Sequence, residues 1–191
     1  MLVALVLAAG ASRRFGAQKL LAPVNGEPLV RASVDRITAA GPERTIVVVG
    51  HDADAVRHAL AGLPVTFAVN PDPAQGMSSS LRAGLALVPE DAEAVLVALG
   101  DQPITRDEVI PALVARFGGE SAPIVAPRYR GTQGLPVIFR RATFAELDAL
   151  TGDHGARGVV ARDPARVAYV DFDFPMPPDV DTPADLAQLE R

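Results

Sequence analysis

Short apolar runs alternate with amphipathic segments along the first half of the chain. Residues 2–8 (LVALVLA), 45–50 (TIVVVG), 65–70 (VTFAVN) and 94–100 (AVLVALG) are apolar, and helix-like segments separate them. Continuous apolar runs of this length are typical of strands buried on both faces, and their alternation with helices indicates parallel pairing. The pattern predicts a three-layer, Rossmann-like α/β fold with a mostly parallel mixed sheet.

Further elements follow from capping signals. A run of serines opens a predicted helix at 78–88. Thr105, with Glu108 three residues later, forms a capping box that predicts a helix through Val114, and PIVAPRY at 123–129 is the fifth predicted strand.

The pattern becomes less regular after this strand. Gly-rich turns and short strands lead to a Pro-rich passage and a last amphipathic helix, predicted at Pro183–Leu189. No low-complexity linker interrupts the chain. We expect one domain over 1–191, in which 130–191 elaborates a core formed by 1–129.

Composition excludes several classes of protein. Of 191 residues, 49% are hydrophobic and 21% charged, as in globular proteins. The chain has no cysteine, so a disulfide framework, a thiolate nucleophile and a cysteine zinc site are excluded. A net charge of -5 without a long basic stripe argues against a nucleic-acid partner. No apolar window approaches about 20 residues, so we expect a cytoplasmic protein without a membrane partner.

The first strand runs into a loop of small and cationic residues, LVLAAGASRRFGAQK at 5–19. Ala8–Ala11 carry little bulk, whereas Arg13, Arg14 and Lys19 supply cationic donors. Ligands of parallel sheets gather at the carboxyl ends of strands, where backbone N–H groups of a small-residue loop can approach a phosphate. A solvated turn with incidental charges is the alternative.

The loop matches neither common glycine motif for nucleotides. Gly10 lacks the partners of G-x-G-x-x-G, and Leu20 follows Lys19 where the P-loop requires serine or threonine. A dinucleotide-dependent oxidoreductase and a P-loop ATPase are therefore disfavoured.

Two acidic segments are candidate metal ligands. Asp101, in GDQP, directly follows the apolar run 94–100, and Asp181 lies in DVDTPADL. Mg²⁺ prefers one or two carboxylates beside phosphate oxygens. As alternatives, Asp101 is a turn residue, and Asp181 caps a helix with Pro183 in its first turn and Asp185 as its N-terminal acid. Spacing alone does not place the two aspartates together.

NPDPAQGMSSSLRAGL offers a third polar site. Asn70 ends a strand, Gly76 permits a tight turn, and Ser78, Ser79 and Ser80 bring hydroxyls and free N–H groups to a helix start, where an anion or a base edge can bind. Simple capping by one serine is the alternative.

Later polar residues have ordinary structural alternatives. Gly134 and Pro136 in GLPVIF are consistent with a turn into an edge strand, and Arg157 in GDHGAR with a solvated helix residue. His51 follows the second strand, where a lone polar residue is usually at the surface.

The first loop resembles the L-A-[AG]-G-x-S-x-R-[MF]-G-x-x-K signature of the MobA-like nucleotidyltransferases. The match puts Arg14 and Lys19 on the signature cations, leaves Arg13 on a variable position, and puts Phe15 where methionine is commoner. GDQP resembles the family's G-D-x-P, and DVDTPADL its closing D-[IV]-D-T-P-x-D-L segment. The resemblance covers Leu5 to Leu186 and implies the fold of nucleotide-diphospho-sugar transferases.

GMSSSLRAGL is similar to a block of the molybdenum cofactor branch of this family. Ala9 completes an Ala-Ala-Gly sequence that resembles the cytidylyl type, which favours CTP over GTP. Leu135 and His154 stand where that branch commonly has histidine and arginine, so the acceptor contacts are left unassigned.

The resemblance also implies roles for individual residues. Asp101 and Asp181 are implied as Mg²⁺ ligands, and Arg14, Lys19 and Asp101 as catalytic residues. The implied nucleotide-binding residues are Leu7, Ala8, Ala9, Gly10, Arg14, Lys19, Asn70, Gly76 and Ser80.

The implied reaction transfers CMP from CTP to the terminal phosphate of molybdopterin, or of its molybdenum-loaded form, and releases pyrophosphate. Residues 1–129 are then the nucleotide-binding half, 130–191 form the acceptor side and the closing metal-ligand segment, and a recipient molybdoenzyme is a candidate partner. Two alternatives stay open: transfer to a sugar phosphate or other small phosphate acceptor, and a non-catalytic carrier of molybdenum cofactor, which does not need both aspartates.

Overall fold

The computed structural model describes residues 1–12, 15–102, 106–153, 155–177, 180, 182 and 185–186. The strands are β1 Leu2–Ala8, β2 Pro23–Val24, β3 Glu27–Pro28, β4 Arg44–Val49, β5 Val65–Val69, β6 Ala94–Leu99, β7 Ile124–Tyr129, β8 Thr132–Gln133, β9 Val137–Arg140 and β10 Val167–Phe172. The α-helices are α1 Leu29–Ala39, α2 Ala53–Ala59, α3 Met77–Leu85, α4 Val109–Gly119, α5 Phe144–Asp148 and α6 Arg157–Arg162.

The main sheet has the strand order β10-β7-β9-β6-β1-β4-β5, and β8 pairs with β7 at its side. β1 is parallel to β4 on one side and to β6 on the other, β5 is parallel to β4, and β10 is parallel to β7. β9 is antiparallel to both β6 and β7. The mostly parallel mixed sheet predicted from the sequence is confirmed.

Successive residues of β1 face different helix layers. Ala4 and Val6 pack in a core that α1, α2 and α4 complete, whereas Val3 and Leu5 pack in a core with α3, α5 and α6. All seven residues of β1 are buried. A strand covered on both faces has no solvated side, and this explains why its sequence is continuously apolar.

Two helix predictions need correction. The helix predicted from the capping box at Thr105 through Val114 begins at Val109 and continues to Gly119, because residues 107 and 108 form a turn and no glycine or proline lies between Val114 and Gly118. Thr105 itself lies outside the described residues. The serine helix begins one residue early, at Met77, and ends at Leu85.

Within the helix predicted at Pro183–Leu189, the structure describes only residues 185 and 186, and both are helical. The other positions of that prediction lie outside the described residues. Among the described residues, no helix combines the length and the apolar character needed to cross a bilayer.

The chain beyond residue 129 contributes to the same sheet. β9 inserts between β6 and β7, and β10 extends the edge. The Tyr129 hydroxyl donates a hydrogen bond to the carbonyl of Leu135 (2.8 Å), and burial raises the pKa of Tyr129 far above its usual range. The Phe172 and Phe174 rings lie 5.6 and 5.8 Å from the Tyr129 ring. Aromatic packing thus fixes the turn that enters β9.

A glycine lets α3 approach the sheet closely, which predicts the effect of adding a methyl group. A Cβ at Gly84 would lie 2.2 Å from Leu5 Cδ1 and 2.8 Å from Val48 Cγ2. We expect Gly84→Ala to lower the free energy of unfolding by about 1–3 kcal/mol, because the well-packed core must move. Urea denaturation measures this change.

Gly118, near the end of α4, is the matched control. It is exposed, and a Cβ there would meet no atom within 4 Å. Gly118→Ala should therefore stabilise the protein by roughly 0.5 kcal/mol through helix propensity alone. Equal effects at the two positions would contradict close packing at Gly84.

Candidate active site

The carboxyl ends of three parallel strands meet at one edge of the sheet. Ala9 and Gly10 follow β1, His51 follows β4, and Asp101 follows β6, and all four line a cavity of about 460 Å³. Crevices at this edge of an open α/β sheet are the usual ligand sites. The location predicted from the first strand and its loop is therefore occupied by a polar cavity.

Small residues allow the three strand ends to approach one another. A Cβ at Gly100 would lie 3.1 Å from the Cβ of Ala8, and a Cβ at Gly50 would lie 2.9 Å from that of Ala9. The methyl groups of Ala8 and Ala9 therefore pack against the neighbouring strand ends. Ala9 also lines the cavity, whereas Ala8 is buried beside it.

Gln18 organises the first loop, although no motif in the sequence indicates this role. The Ser12 hydroxyl donates to Gln18 Oε1 (2.7 Å), while Gln18 Nε2 donates to the carbonyl of Gly10 (3.3 Å). Ser12 has φ +49°. Because Gln18 falls on a variable position of the family signature, only the folded loop reveals this role.

Lys19 links the first loop to two distant segments. Its Nζ lies 2.6 Å from Asp101 Oδ2 and donates to the carbonyl of Val180 at 2.8 Å. The side chains of Lys19 and Asp101 are 14% and 20% exposed, so their pairing is only partly screened by water. One ammonium therefore brings together the first loop, the end of β6 and the closing segment.

Asp101 retains one oxygen for another ligand. Its Oδ1 is buried and has no hydrogen-bond partner among the described residues. A buried, unpaired carboxylate oxygen is costly unless a cation or donor completes it. The donor chemistry fits a hard divalent cation such as Mg²⁺ or Mn²⁺, which binds carboxylate oxygens.

Two further residues predicted for the nucleotide and metal site, Arg14 and Asp181, lie outside the described residues. Within the described part of the chain, no group of three or more His, Asp or Glu side chains could hold a metal ion.

Asn70 positions the serines at the start of α3. It is 3% exposed, and its Nδ2 donates to Ser79 Oγ (2.8 Å) and Ser80 Oγ (3.0 Å). Its Oδ1 accepts from the backbone N–H of Asp72 (3.0 Å). Ser80 lines the cavity and Asn70 does not, so the amide acts on the cavity through Ser80.

Gly76 lets two polar segments interlock. It has φ +92°, and a Cβ there would lie 2.5 Å from the carbonyl carbon of Gly152 and 2.6 Å from Asp153 Oδ1. The N–H of Ser78 donates to the carbonyl of Gly152 (3.1 Å). This docking brings Asp153, from the GDHG segment, to the wall of the cavity.

The structure brings most of the predicted nucleotide-site residues together. His51, expected to be an ordinary surface residue, also lines the cavity, and so does Ser12. The predicted residues that line it are Leu7, Ala9, Gly10, Lys19, Gly76, Ser80 and Asp101.

A match to a nucleotidyltransferase domain family gives the class of protein to which this chain belongs. Residues 4–167 match the MobA-like NTP transferase domain. The chain belongs to the MobA-like NTP transferase family.

Individual relatives cover this chain to different extents. The bifunctional protein GlmU of Cupriavidus necator is 34% identical over 139 residues, which are 72% of this chain and 30% of GlmU. The chain therefore aligns with less than a third of that relative. The crystal structure of Rv0371c from Mycobacterium tuberculosis H37Rv has a TM-score of 0.87 and 33% identity, covering 99% of this chain and 97% of Rv0371c. A crystal structure of Rv0371c in complex with manganese has a TM-score of 0.79 and 32% identity, covering 98% and 97%.

The buried amide of Asn70 gives a prediction about stability. Asn70→Ala removes donors to two serine hydroxyls and the acceptor for the Asp72 N–H. We expect it to lower the free energy of unfolding by about 1–3 kcal/mol, because buried polar groups lose their partners. Urea denaturation measures the loss.

Gln75→Ala is the control for this variant. The exposed Gln75 amide makes a hydrogen bond to Asp72 (2.8 Å), and its removal should cost less than about 0.5 kcal/mol. If the two substitutions cost the same, Asn70 does not hold the start of α3.

Proposed function

We propose that the protein transfers CMP from CTP to the terminal phosphate of molybdopterin, or of its molybdenum-loaded form, and releases pyrophosphate. The observation that carries this proposal is the contact of Lys19 with Asp101, 2.6 Å apart in a cavity built by the first loop. These residues occupy the positions implied by the family signature. Supporting evidence comes from the family match.

In the reaction, an oxygen of the acceptor phosphate forms a bond to the α-phosphorus of CTP. The bond from that phosphorus to the bridging oxygen breaks, and pyrophosphate leaves with the electron pair. No protein nucleophile is required, since positioning and charge neutralisation supply most of the catalysis of such transfers. The absence of cysteine is compatible with this chemistry.

Asp101 and Asp181 are the proposed ligands of a divalent cation, with Mg²⁺ as the expected ion. Asp101 offers its unpaired Oδ1, and Val180, which precedes Asp181 in the chain, accepts a hydrogen bond from Lys19. A similar protein, Rv0371c, has been crystallised with manganese. When bound, such a cation neutralises phosphate charge and orients the reacting oxygens.

Lys19 is proposed to neutralise charge on the leaving pyrophosphate, together with Arg14. Lys19 is the only lysine in the sequence, whereas the other basic residues are arginines. An ammonium is a compact point charge on a flexible stem, so it can exchange a carboxylate for a phosphate oxygen by a small movement. The residue type at this position therefore suits the proposed role.

The remaining roles follow from the cavity wall. The backbone of Ala9 and Gly10 is proposed to receive the nucleotide, and the Ser80 hydroxyl to contact its base or ribose. Ala9 favours CTP, because the Ala-Ala-Gly sequence that it completes resembles the cytidylyl type of the family.

The reaction can be tested directly. The protein is incubated with Mg²⁺, molybdopterin and each nucleoside triphosphate in turn, and pyrophosphate is measured. We expect release with CTP, at least about tenfold less with GTP, and none when glucose 1-phosphate replaces molybdopterin. Release with the sugar phosphate alone would favour the alternative acceptor, and silence with every triphosphate would favour the carrier.

Two Asp→Asn variants at opposite ends of β6 control this experiment. Asp101 follows the strand and lines the cavity, whereas the exposed Asp91 precedes it. Asp101→Asn should reduce kcat by about 10²-fold or more, as removal of a preorganised charge does at other active sites, and Asp91→Asn should leave it unchanged. Normal turnover by Asp101→Asn would rule out the proposed metal ligand.

The contact between Lys19 and Asp101 also predicts how replacing Lys19 changes the affinity of the protein for a divalent metal ion. Because the ammonium occupies one carboxylate oxygen at 2.6 Å, it repels a cation at the other. In the absence of nucleotide, Lys19→Met should bind Mn²⁺ about 3- to 10-fold more tightly than the native protein, although its turnover falls. Electron paramagnetic resonance of free Mn²⁺ measures the affinity.

The single lysine supplies an independent check of the metal's location. Selective isotopic labelling of lysine gives one side-chain signal in nuclear magnetic resonance spectra. Mn²⁺ should broaden this signal in the native protein and leave it sharp in Asp101→Asn. Unchanged Mn²⁺ affinity in Lys19→Met would show that the two cations do not compete.

A further inference from the structure

The side chain of Gln18 joins the first loop to the loop between β4 and α2. Its Oε1 accepts a hydrogen bond from the Ser12 hydroxyl (2.7 Å), and its Nε2 donates to the carbonyl of Gly10 (3.3 Å). The same Nε2 also donates to the carbonyl of His51 and to Asp52 Oδ2, both 3.4 Å away. One amide therefore connects two loops that are distant in the sequence.

Both loops carry a residue in the left-handed region of backbone conformation. Ser12 has φ +49° and Asp52 has φ +53°, although neither is glycine. Such conformations are costly for residues with a side chain, and they persist where surrounding contacts hold them. Because Gln18 bonds to the side chains of both residues, its amide supplies such a contact in each loop.

Asp52 directs its carboxylate toward Gln18 and not toward the helix that it precedes. It is the residue before α2, a position where aspartate usually accepts a hydrogen bond from a backbone N–H of the first turn. Here Asp52 makes no such capping bond. Its Oδ2 instead accepts from Gln18 Nε2. The contact between the two loops thus takes the place of an ordinary helix cap.

The Gln18 amide also fixes the direction of two peptide planes. In a trans peptide, the N–H of one residue points opposite to the C=O of the residue before it. The bond to the Gly10 carbonyl therefore sets the direction of the Ala11 N–H, and the bond to the His51 carbonyl sets that of the Asp52 N–H. Gly10, Ala11 and His51 line the cavity of the candidate active site.

We propose that Gln18 is a positioning residue for the triphosphate, because its amide holds backbone N–H groups of the first loop in the orientation that a phosphate needs. Such groups bind an anion best when their directions are fixed beforehand. Gln18 is not part of the cavity wall, so it acts through Gly10 and Ser12, which are. This inference rests on the proposed function, because it assigns the support of the same nucleotide site.

The proposal predicts an effect on binding and not on the chemical step. Without the Gln18 amide the two loops are less ordered before the nucleotide arrives, so binding must supply the cost of ordering them. Once bound, the triphosphate holds the same N–H groups itself. Loss of the amide should therefore raise KM for the triphosphate with little change in kcat, which is the pattern of lost uniform binding. Asp101→Asn, by contrast, should lower kcat.

Gln18→Met tests the proposal, since methionine has a similar length and no amide. We expect the Kd of CTP with Mg²⁺, measured by isothermal titration calorimetry, to rise about 5- to 10-fold, while kcat stays within about twofold. In the unliganded protein, the nuclear magnetic resonance order parameter of the Ala11 N–H should fall from about 0.85 to below about 0.7. The proposal fails if either the Kd or the order parameter keeps its native value.

A reversed pair separates the hydrogen bond from a simple change of charge. Gln18→Glu keeps the shape of the side chain but cannot donate to Asp52, so it should weaken CTP binding about 10-fold. Adding Asp52→Asn supplies an amide donor and restores the native net charge, and binding should return to within about threefold of native. Asp52→Asn alone should change Kd less than about twofold, because its amide oxygen still accepts from Gln18.

Two outcomes of the reversed pair would contradict the proposal. Failure of Asp52→Asn to recover any affinity in Gln18→Glu would show that the contact between the two side chains does not matter. Tighter CTP binding by Asp52→Asn alone would show that charge, and not positioning, governs the affinity.

Gln75→Glu is the matched control. Gln75 is exposed, its Nε2 donates to the carboxylate of Asp72 (2.8 Å), and it does not line the cavity. The substitution therefore adds the same charge and breaks the same kind of bond as Gln18→Glu. Its affinity for CTP should stay within about twofold of native. An effect as large as that of Gln18→Glu would overturn the proposal.

The outcome is separable from that of the proposed function. The order parameter needs no nucleotide, and the binding experiment can use whichever triphosphate binds most tightly. Native order and affinity in Gln18→Met, with pyrophosphate released from CTP and molybdopterin, would reject the role of Gln18 and sustain the catalytic proposal. Loss of both, with no pyrophosphate released, would support the role of Gln18 and contradict only the proposed reaction.

Discussion

The alignment of β1 between two parallel neighbours determines where chemistry can occur in this molecule. In a parallel pair the strand ends lie at the same level, so the residues after β1, β4 and β6 meet at one edge. Little space remains at that edge, because a Cβ at Gly100 would lie 3.1 Å from that of Ala8 and a Cβ at Gly50 would lie 2.9 Å from that of Ala9. A larger side chain at any of these positions would separate the strand ends and open the cavity floor. The sheet therefore requires small residues at Ala8 and Ala9 independently of the proposed ligand.

Lys19 places a positive charge at this edge of the sheet. The protein carries a net charge of -5, yet its proposed substrates are anions. A cation is therefore needed locally, and in the unliganded protein it is held by Asp101 and the carbonyl of Val180. Holding the ammonium avoids a partly buried unpaired charge, which would be costly. This ion pair also keeps the Lys19 ammonium close to the position expected for the substrate phosphates.

The strands and the polar edge could be predicted from sequence because their causes are local. Buried strands need apolar residues at every position, and the loop after β1 needs small ones, so both patterns are visible without the fold. The start of α4 was predicted less well. Thr105 and Glu108 match a capping box, but the helix begins at Val109 after a turn. A capping pattern states a local preference, and the surrounding structure decides whether it is used.

Contacts between segments that are distant in the sequence could not be predicted from it. Nothing near Gly76 indicates that Gly152 will rest on it, since the two positions are joined only by the packing of a loop against α3. The same holds for Gln18, whose amide closes the first loop from a variable position. Asp153 reaches the cavity because the loop that carries it packs against Gly76.

The packing of Gly152 and Gly155 against the start of α3 is the point at which the fold and the proposed chemistry meet. Met77 and Asp153 line the cavity, and this packing places both of them. A change that loosened it would move both residues together. Such coupling suits the proposed transfer, because a phosphate oxygen and its target phosphorus must be held within a few tenths of an ångström of the reactive arrangement. Close packing at Gly76 and Gly155, where a Cβ would meet Gly152 and Met77, therefore supports the geometry that the proposed reaction needs.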